Sequence, residues 1–301
     1  MATFVAGPVR VTVPATSANL GPGFDTLGLA LALRDELVAE VTSGGLDVTV
    51  EGEGSDGVPL DERHLVVRAM RAGFAAMDAE PPGLALACRN AIPHARGLGS
   101  SSAAIVGGLV LARALVAGGA LLLDDEVLLA IAADLEGHPD NVAPALHGGF
   151  TISGRHEDRW FSVQATVDPR LTTVAFVPPE PVSTEAARGL LPAQVPHADA
   201  ARNAGRAALL VAALAGRPES LLVATEDLLH QEQREPAMPA TLALVHALRD
   251  TGVPAVVSGA GPTVLALTDA ASVPGLLRRA PRGWRAEHLE VSGQGALVVE
   301  G

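Results

Sequence analysis

Two kinds of hydrophobic pattern follow each other along the chain. Apolar residues at every second position predict short strands, whereas spacings of three and four predict helices. The predicted strands cover 9–13, 37–41, 46–50, 84–89, two stretches within 159–177, 254–258 and 263–267. The predicted helices cover 63–77, a segment starting at about 100, 124–135, 198–215, 218–229 and 238–250, with an irregular loop over 137–149. This interleaving predicts an α+β fold of two layers.

The segment that begins near residue 100 is apolar on almost every face. Arg113 is its one charged residue between Ala103 and Val116. A helix of this kind is buried in a core. Arg113 and the following Gly118-Gly119 argue against a membrane span, which would need about 20 consecutive apolar residues.

A glycine-rich turn leads directly into this helix, over the segment Pro93-His94-Ala95-Arg96-Gly97-Leu98-Gly99-Ser100-Ser101-Ser102-Ala103. Gly97 and Gly99 present no Cβ atom to block a ligand, and the helix start offers free N–H groups with a partial positive charge. The turn therefore predicts a phosphate cradle. Taken alone, it is equally typical of an ordinary strand-to-helix connection in which a serine caps the helix.

Composition narrows the chemistry and the partners. The 21 basic residues are all Arg, which excludes a Walker-type lysine loop and lysine Schiff-base catalysis. A net charge of −13 disfavours nucleic acid and anionic membranes as partners. The start of the chain lacks the basic and apolar regions of a secretory signal, which predicts a cytoplasmic location. The single cysteine, Cys88, is predicted to be a small buried group in a strand.

Five separated blocks carry a family resemblance. The segments 13–25, 93–103 and 256–264 resemble, in order and spacing, the three motifs of the GHMP kinase superfamily. Within it, the details resemble the homoserine kinases, from about residue 9 to the end of the chain. These details are Thr16-Ser17-Ala18-Asn19-Leu20-Gly21 with Gly23-Phe24-Asp25, Glu136-Gly137-His138-Pro139-Asp140-Asn141-Val142-Ala143-Pro144, and Val182-Ser183-Thr184-Glu185-Ala186-Ala187-Arg188.

The resemblance implies a fold and an activity. A length of 301 residues already favours two domains. The family implies an N-terminal ATP-binding domain over 1–165, similar to the second domain of ribosomal protein S5, and a ferredoxin-like C-terminal domain over 166–301, with the active site between them. It implies transfer of the γ-phosphate of ATP to the side-chain hydroxyl of L-homoserine in threonine synthesis, and a homodimer. The alternatives are another small-molecule GHMP kinase, mevalonate-like, or a non-catalytic ligand sensor on the same fold.

The resemblance also implies the nucleotide and metal ligands. Those for ATP are Pro93, Arg96, Gly97, Leu98, Gly99, Ser100, Ser101, Ser102, Ala103, Gly259 and Gly261. Mg²⁺ prefers a few hard oxygen ligands besides phosphates and water, and the implied ones are the Ser101 hydroxyl, for which Ser100 could substitute, and the Glu136 carboxylate. The alternative interpretation makes Ser100 a helix cap and Glu136 a solvated helix end.

The acceptor amino acid needs an anion site for its carboxylate and acceptor groups for its ammonium. Arginine has the forked geometry suited to a carboxylate. The positions that match homoserine-binding residues of the family are Asn19, Asp25, His138, Asn141, Arg188 and Arg234, with Thr184 as a further candidate. For Arg234 the alternative is an exposed arginine at a helix end.

A general base is less clearly indicated. Asp140 and Asn141 form the catalytic block, in which mevalonate kinase has a catalytic Asp. Homoserine kinases are thought to work without a dedicated base, by positioning, in which case Asp140 could instead orient its loop.

Two positions depart from the family pattern. His64-Leu65-Val66 stands where relatives have Asn-Leu-Val or Asn-Ile-Val beside adenine, and Arg89-Asn90 stands where many have a lysine. ATP is still expected to bind, with altered hydrogen bonding to the base.

Overall fold

The computed structural model describes residues 2–299 and contains two β-sheets with helices packed against them. The strands are β1 Val9–Ala18, β2 Leu27–Thr42, β3 Gly45–Gly52, β4 Gly83–Asn90, β5 Phe150–His156, β6 Arg159–Ala165, β7 Leu171–Val177, β8 Ala255–Val257, β9 Val264–Asp269, β10 Arg285–Leu289 and β11 Leu297–Val299. The helices are α1 Leu65–Ala76, α2 Ser100–Leu115, α3 Gly119–Leu122, α4 Asp125–Glu136, α5 Pro139–His147, α6 Thr184–Gly189, α7 His197–Gly216, α8 Leu221–Ala224, α9 Pro239–Arg249 and α10 Val273–Leu277. Two 3₁₀ turns cover Pro218–Ser220 and Glu232–Ala237.

The first sheet has the order β11-β1-β2-β4-β3, and β5 and β6 extend it from the start of β2. β2 is long enough to pair with β1, β4 and β5 along different parts of its length. The pattern at 37–41 therefore predicted only part of this strand. At the far end of the chain, β11 returns to pair with β1. The division of the chain at residue 165 stays a prediction.

The second sheet, ordered β10-β7-β9-β8, is antiparallel, and its strands β7, β8 and β9 are largely buried on both faces. Phe176 and Val264 pack with α9 in one apolar cluster, while their neighbours Val177 and Leu265 join the main core, which also includes Leu210 of α7. Successive residues of a strand point to opposite faces. This is why 174–177 and 264–267 are continuous apolar runs.

Helix α2 lies between the first sheet and α1, as its all-round apolar surface predicts. Neighbouring glycines make both approaches close: a Cβ at Gly107 would lie 2.3 Å from the Leu37 side chain of β2, and one at Gly108 would lie 2.5 Å from the Val66 carbonyl oxygen of α1. Backbone can approach backbone this closely only where a residue lacks a side chain.

Two predicted segments differ from the structure. The loop predicted over 137–149 is largely helical, because Pro139 occupies the first turn of α5, where a missing N–H costs nothing, and Asp140 lies at the favourable N-terminal end. The helix predicted over 218–229 ends at Ala224. Beyond it, the Asp227 carboxylate accepts backbone N–H groups of Leu229, His230 and Gln231, and a side chain used in this way competes with helix formation.

The other predicted helices and strands are present with boundaries shifted by a few residues, and Cys88 is buried in β4 as predicted. Within residues 2–299, no helix is long and apolar enough to cross a membrane.

The close approach of α1 and α2 can be tested with two glycine-to-alanine substitutions that should change the free energy of unfolding in opposite directions. Gly108→Ala should lower the free energy of unfolding by roughly 1–3 kcal/mol, because the new methyl group overpacks the Val66 carbonyl. Gly205→Ala in α7 meets nothing within 4 Å and should raise it by about 0.5–1 kcal/mol through helix propensity. Urea unfolding of both variants measures the difference, and equal shifts would contradict the tight crossing.

Candidate active site

The glycine turn enters α2 through a left-handed residue. Gly99 is the N-cap, with φ 72°, and no side chain caps the helix. The first N–H groups of α2 are therefore open to a ligand. A Cβ at Gly99 would lie 1.9 Å from Thr16 Oγ1, so this position has both a conformational and a steric need for glycine. The alternative in which Ser100 caps the helix is wrong.

The loop after β8 braces this turn from the other side. Ser258 Oγ donates to the Gly97 carbonyl at 2.6 Å, and Gly259 N–H donates to the Ala18 carbonyl at 3.0 Å. A Cβ at Gly97 would lie 2.3 Å from the Ser258 carbonyl oxygen and 2.8 Å from that of Gly261. The sequence motifs at 13–25, 93–103 and 256–264 thus meet in one place.

Two cavities meet at the α2 N-terminus, where they share Ala95, Ser100 and Ser101. The polar cavity, of about 320 Å³, contains most of the predicted acceptor residues and is lined by Asn19, Ala95, Gly97, Gly99, Ser100, Ser101, Glu136, His138, Asp140, Asn141, Ser183, Thr184, Arg188, Arg234, Gly259 and Ala260. The apolar cavity, of about 290 Å³, is lined by Asp35, Leu37, Val58, Pro59, Arg63, His64, Leu65, Val66, Asn90, His94, Ala95, Ser100, Ser101, Ala103 and Ala104. A ligand with an anionic centre and two dissimilar ends fits this arrangement.

Glu136, the last residue of α4, reaches the start of α2. Its Oε1 accepts hydrogen bonds from Ser101 Oγ at 2.6 Å and Ser102 Oγ at 3.0 Å. Glu136 is therefore held against the start of α2, and the interpretation of it as a merely solvated helix end is wrong. No cluster of three or more His, Cys, Asp or Glu able to hold a metal by itself occurs within residues 2–299. One carboxylate and one hydroxyl fit a cation that also uses phosphate and water ligands.

The N-cap residue of α5, His138, and two residues of its first turn present polar side chains to the polar cavity. His138 Nδ1 lies 2.8 Å from Asp140 Oδ1, and Asn141 Oδ1 accepts from Thr16 Oγ1 at 2.8 Å. Burial opposes charge on His138, but its hydrogen bond to Asp140 and the nearby carboxylates outweigh this, so that the pKa of His138 is raised. Asp140 itself is buried.

An inserted proline fixes α5 against the first sheet. Pro144 has no N–H for the Asp140 carbonyl, which instead lies against Gly28 of β2, where a Cβ would come within 1.9 Å of that oxygen. Gly28 thus lets the helix that carries the site sit directly on β2.

The two predicted arginines occupy different states. Arg188 of α6 forms a bidentate pair with Asp25, with contacts of 3.1 and 2.5 Å between guanidinium nitrogens and carboxylate oxygens. This hydrogen bond raises the pKa of Arg188. Asn19 supports the pair, since its Oδ1 accepts from Asp25 N–H at 3.0 Å.

Arg234 is 1% exposed, so its interpretation as an exposed helix-end residue is wrong. Within residues 2–299 its guanidinium donates only from Nη1, to the Gly259 carbonyl at 3.1 Å and to His230 Nδ1 at 3.0 Å. Its Nε is buried without a hydrogen-bond partner among these residues. Burial and the charge of Arg188 lower the pKa of Arg234 to about 10, which leaves it charged at neutral pH.

Several predicted nucleotide residues support the turn rather than line a cavity. Arg96 donates to the carbonyls of His94, Pro178 and Pro179. Pro93, Leu98 and Ser102 are buried, and a Cβ at Gly97 would lie 2.8 Å from the Gly261 carbonyl oxygen. Ala103 lines the apolar cavity, and Thr184 lines the polar one.

The apolar cavity contains two buried polar side chains in unfavourable surroundings. His64 is buried and its Nδ1 has no hydrogen-bond partner within the described residues. Asp35 accepts backbone N–H groups of Ala91 and Ile92 through Oδ1 at 2.7 and 2.9 Å, yet burial raises the pKa of this carboxyl to about 6.

Asp35, His94 and His230 were not identified from the sequence. Asp35 lies within a strand-like run, and its cavity contact depends on β4 pairing with β2. A His-x-x-x-Arg spacing at 230–234 could have suggested the contact of His230 with Arg234, had a helical turn been predicted there.

Comparison with known proteins agrees with this geometry. Two family models match the chain, the GHMP kinases N terminal domain over residues 64–149 and the GHMP kinases C terminal over 207–286. The chain is 56% identical to a homoserine kinase of Streptomyces avermitilis over 296 residues, covering 98% of this chain and 97% of that protein. It superimposes on the crystal structure of a homoserine kinase from Cytophaga hutchinsonii with a TM-score of 0.84 at 27% identity, covering 99% of each chain.

A mevalonate diphosphate decarboxylase from Staphylococcus aureus shares the fold, with a TM-score of 0.69 at 15% identity over 97% of this chain and 98% of that one. The predicted α+β, two-domain GHMP kinase fold is confirmed. The chain belongs to the homoserine kinase family of the GHMP kinase superfamily.

Proposed function

We propose that this chain is an ATP:L-homoserine O-phosphotransferase, in which the uncapped start of α2 holds the phosphates between a nucleoside in the apolar cavity and homoserine in the polar cavity. The observation that carries the proposal is the meeting of these cavities at Ser100 and Ser101, beside a buried arginine with uncommitted donors. The membership of the chain in the homoserine kinase family supports the same reaction.

The apolar cavity suits a purine, with apolar walls for the ring and a few polar groups for its edge. The unpartnered Nδ1 of His64 and the buried carboxyl of Asp35 are the groups that would contact the base. A buried polar atom left unsatisfied in the free protein costs free energy that a ligand can recover. The phosphate ligands are the backbone and hydroxyls of 97–101.

Glu136 and Ser101 are proposed to hold Mg²⁺, since they offer hard oxygen atoms beside the phosphate site. Mg²⁺ would neutralise charge on the phosphate chain when bound. Glu136 then has two roles in the protein alone: it orients the serine hydroxyls and places a negative charge next to the helix start.

Homoserine is proposed to lie in the polar cavity with its carboxylate on Arg234. Arg188 is already paired bidentately with Asp25, whereas Arg234 has no carboxylate partner within the described residues. The carboxylates of Asp140 and Asp25, with Asn19 and Thr184, offer acceptors for the ammonium. Burial of Arg234 strengthens an ion pair made there.

Positioning, rather than a dedicated base, is proposed to drive the transfer. Asp140 Oδ1 is engaged by His138, and Asn141 is oriented by Thr16. Phosphoryl transfer through a loose transition state requires little deprotonation of the attacking hydroxyl at the start. His138 and Asn141 then hold the substrate in line.

A mevalonate-like kinase would need no ammonium site, and the acidic groups around Arg234 favour an amino acid instead. A non-catalytic sensor would not need the contact between Glu136 and Ser101. Cytoplasmic location and homodimer assembly remain predictions of the sequence.

The activity and the role of Glu136 are tested together. The wild-type protein should consume ATP with L-homoserine and yield O-phosphohomoserine, with little turnover of serine, mevalonate or galactose. Glu136→Gln should reduce kcat by at least about 100-fold, since it removes one charge without changing volume. Glu126→Gln, on the exposed first turn of the same helix, should leave kcat unchanged. Unchanged turnover of Glu136→Gln at saturating Mg²⁺ would remove Glu136 from the site.

Asp140→Asn distinguishes positioning from base catalysis. A general base contributes roughly 10²–10⁴-fold, whereas an amide can still hydrogen-bond His138. We expect kcat to fall by less than about tenfold, with a higher KM for homoserine. A loss of kcat beyond about 100-fold with homoserine binding intact would instead assign proton abstraction to Asp140.

Asp35 predicts a pH dependence of stability. Its pKa is about 6 in the folded protein and about 3.9 when unfolded, so between these values the folded state binds the extra proton and stability falls as pH rises. The full loss is about 3 kcal/mol above pH 6. Asp35→Asn should abolish this fall, whereas Asp47→Asn on the exposed part of β3 should follow the wild-type profile. Urea unfolding between pH 4 and 8 measures it, and identical profiles would contradict a buried ionised Asp35.

A further inference from the structure

We propose that His230 is a positioning residue that holds the Arg234 guanidinium in register for the substrate carboxylate. This inference rests on the proposed function, because it concerns the same carboxylate site. His230 lies behind Arg234 and is not among the residues lining the polar cavity. It therefore acts through Arg234 rather than on the substrate.

The contacts of His230 fix its tautomer. Nε2 lies 2.8 Å from the Gly21 carbonyl oxygen, which can only accept, so Nε2 carries the hydrogen. Nδ1 lies 3.0 Å from Arg234 Nη1, which can only donate, so Nδ1 is the acceptor. A protonated ring would direct an N–H at the guanidinium. The contact with Arg234 thus requires the neutral ring, and the contact with Gly21 requires that its hydrogen be on Nε2.

The surroundings keep the ring neutral and immobile. His230 is fully buried, and its ring lies 5.1 Å from that of Phe24, centroid to centroid. Burial lowers the pKa of His230, against the opposing carboxylate of Asp227, 3.6 Å from Nε2. Asp227 also fixes the backbone at His230, because its carboxylate accepts the His230 backbone N–H.

A buried arginine that is to bind a carboxylate must be oriented without losing its net positive charge, and a neutral imidazole meets both requirements. A carboxylate at this place would orient Arg234 equally well, but it would neutralise the charge that the substrate needs. The imidazole and the Gly259 carbonyl instead occupy Nη1 without neutralising it. Within residues 2–299, Nη2 makes no hydrogen bond and stays available to the substrate carboxylate, while the buried Nε has no partner.

The same ring links the two arginines. Through the Gly21 carbonyl it contacts the loop after β1, which carries Phe24 and Asp25. Arg188 and Arg234 both lie over the Phe24 ring, at 5.4 and 5.6 Å from its centroid. The placement of the carboxylate site and of the Asp25 pair thus depends on one buried imidazole.

The test is a double-mutant cycle of His230→Leu and Arg234→Met with KM for homoserine as the readout. Loss of a hydrogen bond to a charged group is worth roughly 10- to 100-fold, and we expect His230→Leu to raise this KM by that factor with KM for ATP unchanged. In the Arg234→Met background, His230→Leu should change KM by less than about twofold. His230→Gln, which keeps an acceptor and a donor, should restore most of the loss.

L-homoserine amide separates positioning from a merely structural effect. His230→Leu should shrink the preference of the enzyme for homoserine over its amide, since only homoserine carries the carboxylate. His246→Leu, which replaces an exposed histidine of α9, should leave that preference as in the wild type.

The inference would be overturned if His230→Leu raised the KM for homoserine by the same factor with and without Arg234→Met. It would also be overturned if His230→Leu left the preference for homoserine over its amide unchanged. If His230→Leu does not fold, two other variants take its place. The inference would be overturned if His230→Ala kept the wild-type preference for homoserine over its amide. It would also be overturned if His230→Gln raised the KM for homoserine as much as Arg234→Met does. Absence of homoserine turnover in the wild type would overturn the proposed function itself. If the wild type turns over homoserine but the effects of His230→Leu and Arg234→Met on KM are independent, only the positioning role of His230 is overturned.

Discussion

The architecture depends on one constraint, the fit of an unprotected backbone turn between two loops. Gly97 and Gly99 lie against Ser258 and Thr16 at distances that no side chain could occupy. Neighbouring backbone and hydroxyl groups hold the turn in place at the start of α2, where no side chain caps the helix. A chain without lysine can therefore bind an anion with fixed N–H groups. Both cavities take their position from this turn.

The two arginines near that turn differ in whether a carboxylate of the protein pairs with them. Arg188 is used as a structural partner of Asp25, whereas Arg234 is kept buried, charged and short of acceptors. Burying a charge that has no carboxylate partner is costly, and under the proposed function the substrate carboxylate offsets this cost. The neutral His230 allows this arrangement, because it orients the guanidinium without cancelling it.

The same compromise recurs in the apolar cavity. His64 Nδ1 and Arg234 Nε are two of the few buried polar atoms that lack a partner within residues 2–299, and each lies in a residue lining one of the two cavities. Asp35 adds a carboxyl whose ionisation opposes folding. The other buried polar atoms that lack a partner among these residues are Ser162 Oγ, Gln233 Oε1 and Thr263 Oγ1, in residues outside the two cavity linings. Unpartnered polar atoms and a buried carboxyl in the residues that line two adjoining cavities are typical of a functional site.

The sequence by itself determined the buried helix α2, the glycine turn before it, most helices and strands, and the family, because these depend on local periodicity and on short motifs. It did not determine that α5 is a helix pressed onto Gly28, since that needs the contact between Asp140 and β2. Nor could it distinguish Arg188 from Arg234 or reveal His230 and Asp35. Ionisation, tautomer and pairing depend on burial and on partners up to 209 residues apart, such as Gly21 and His230, and only the tertiary structure brings these together.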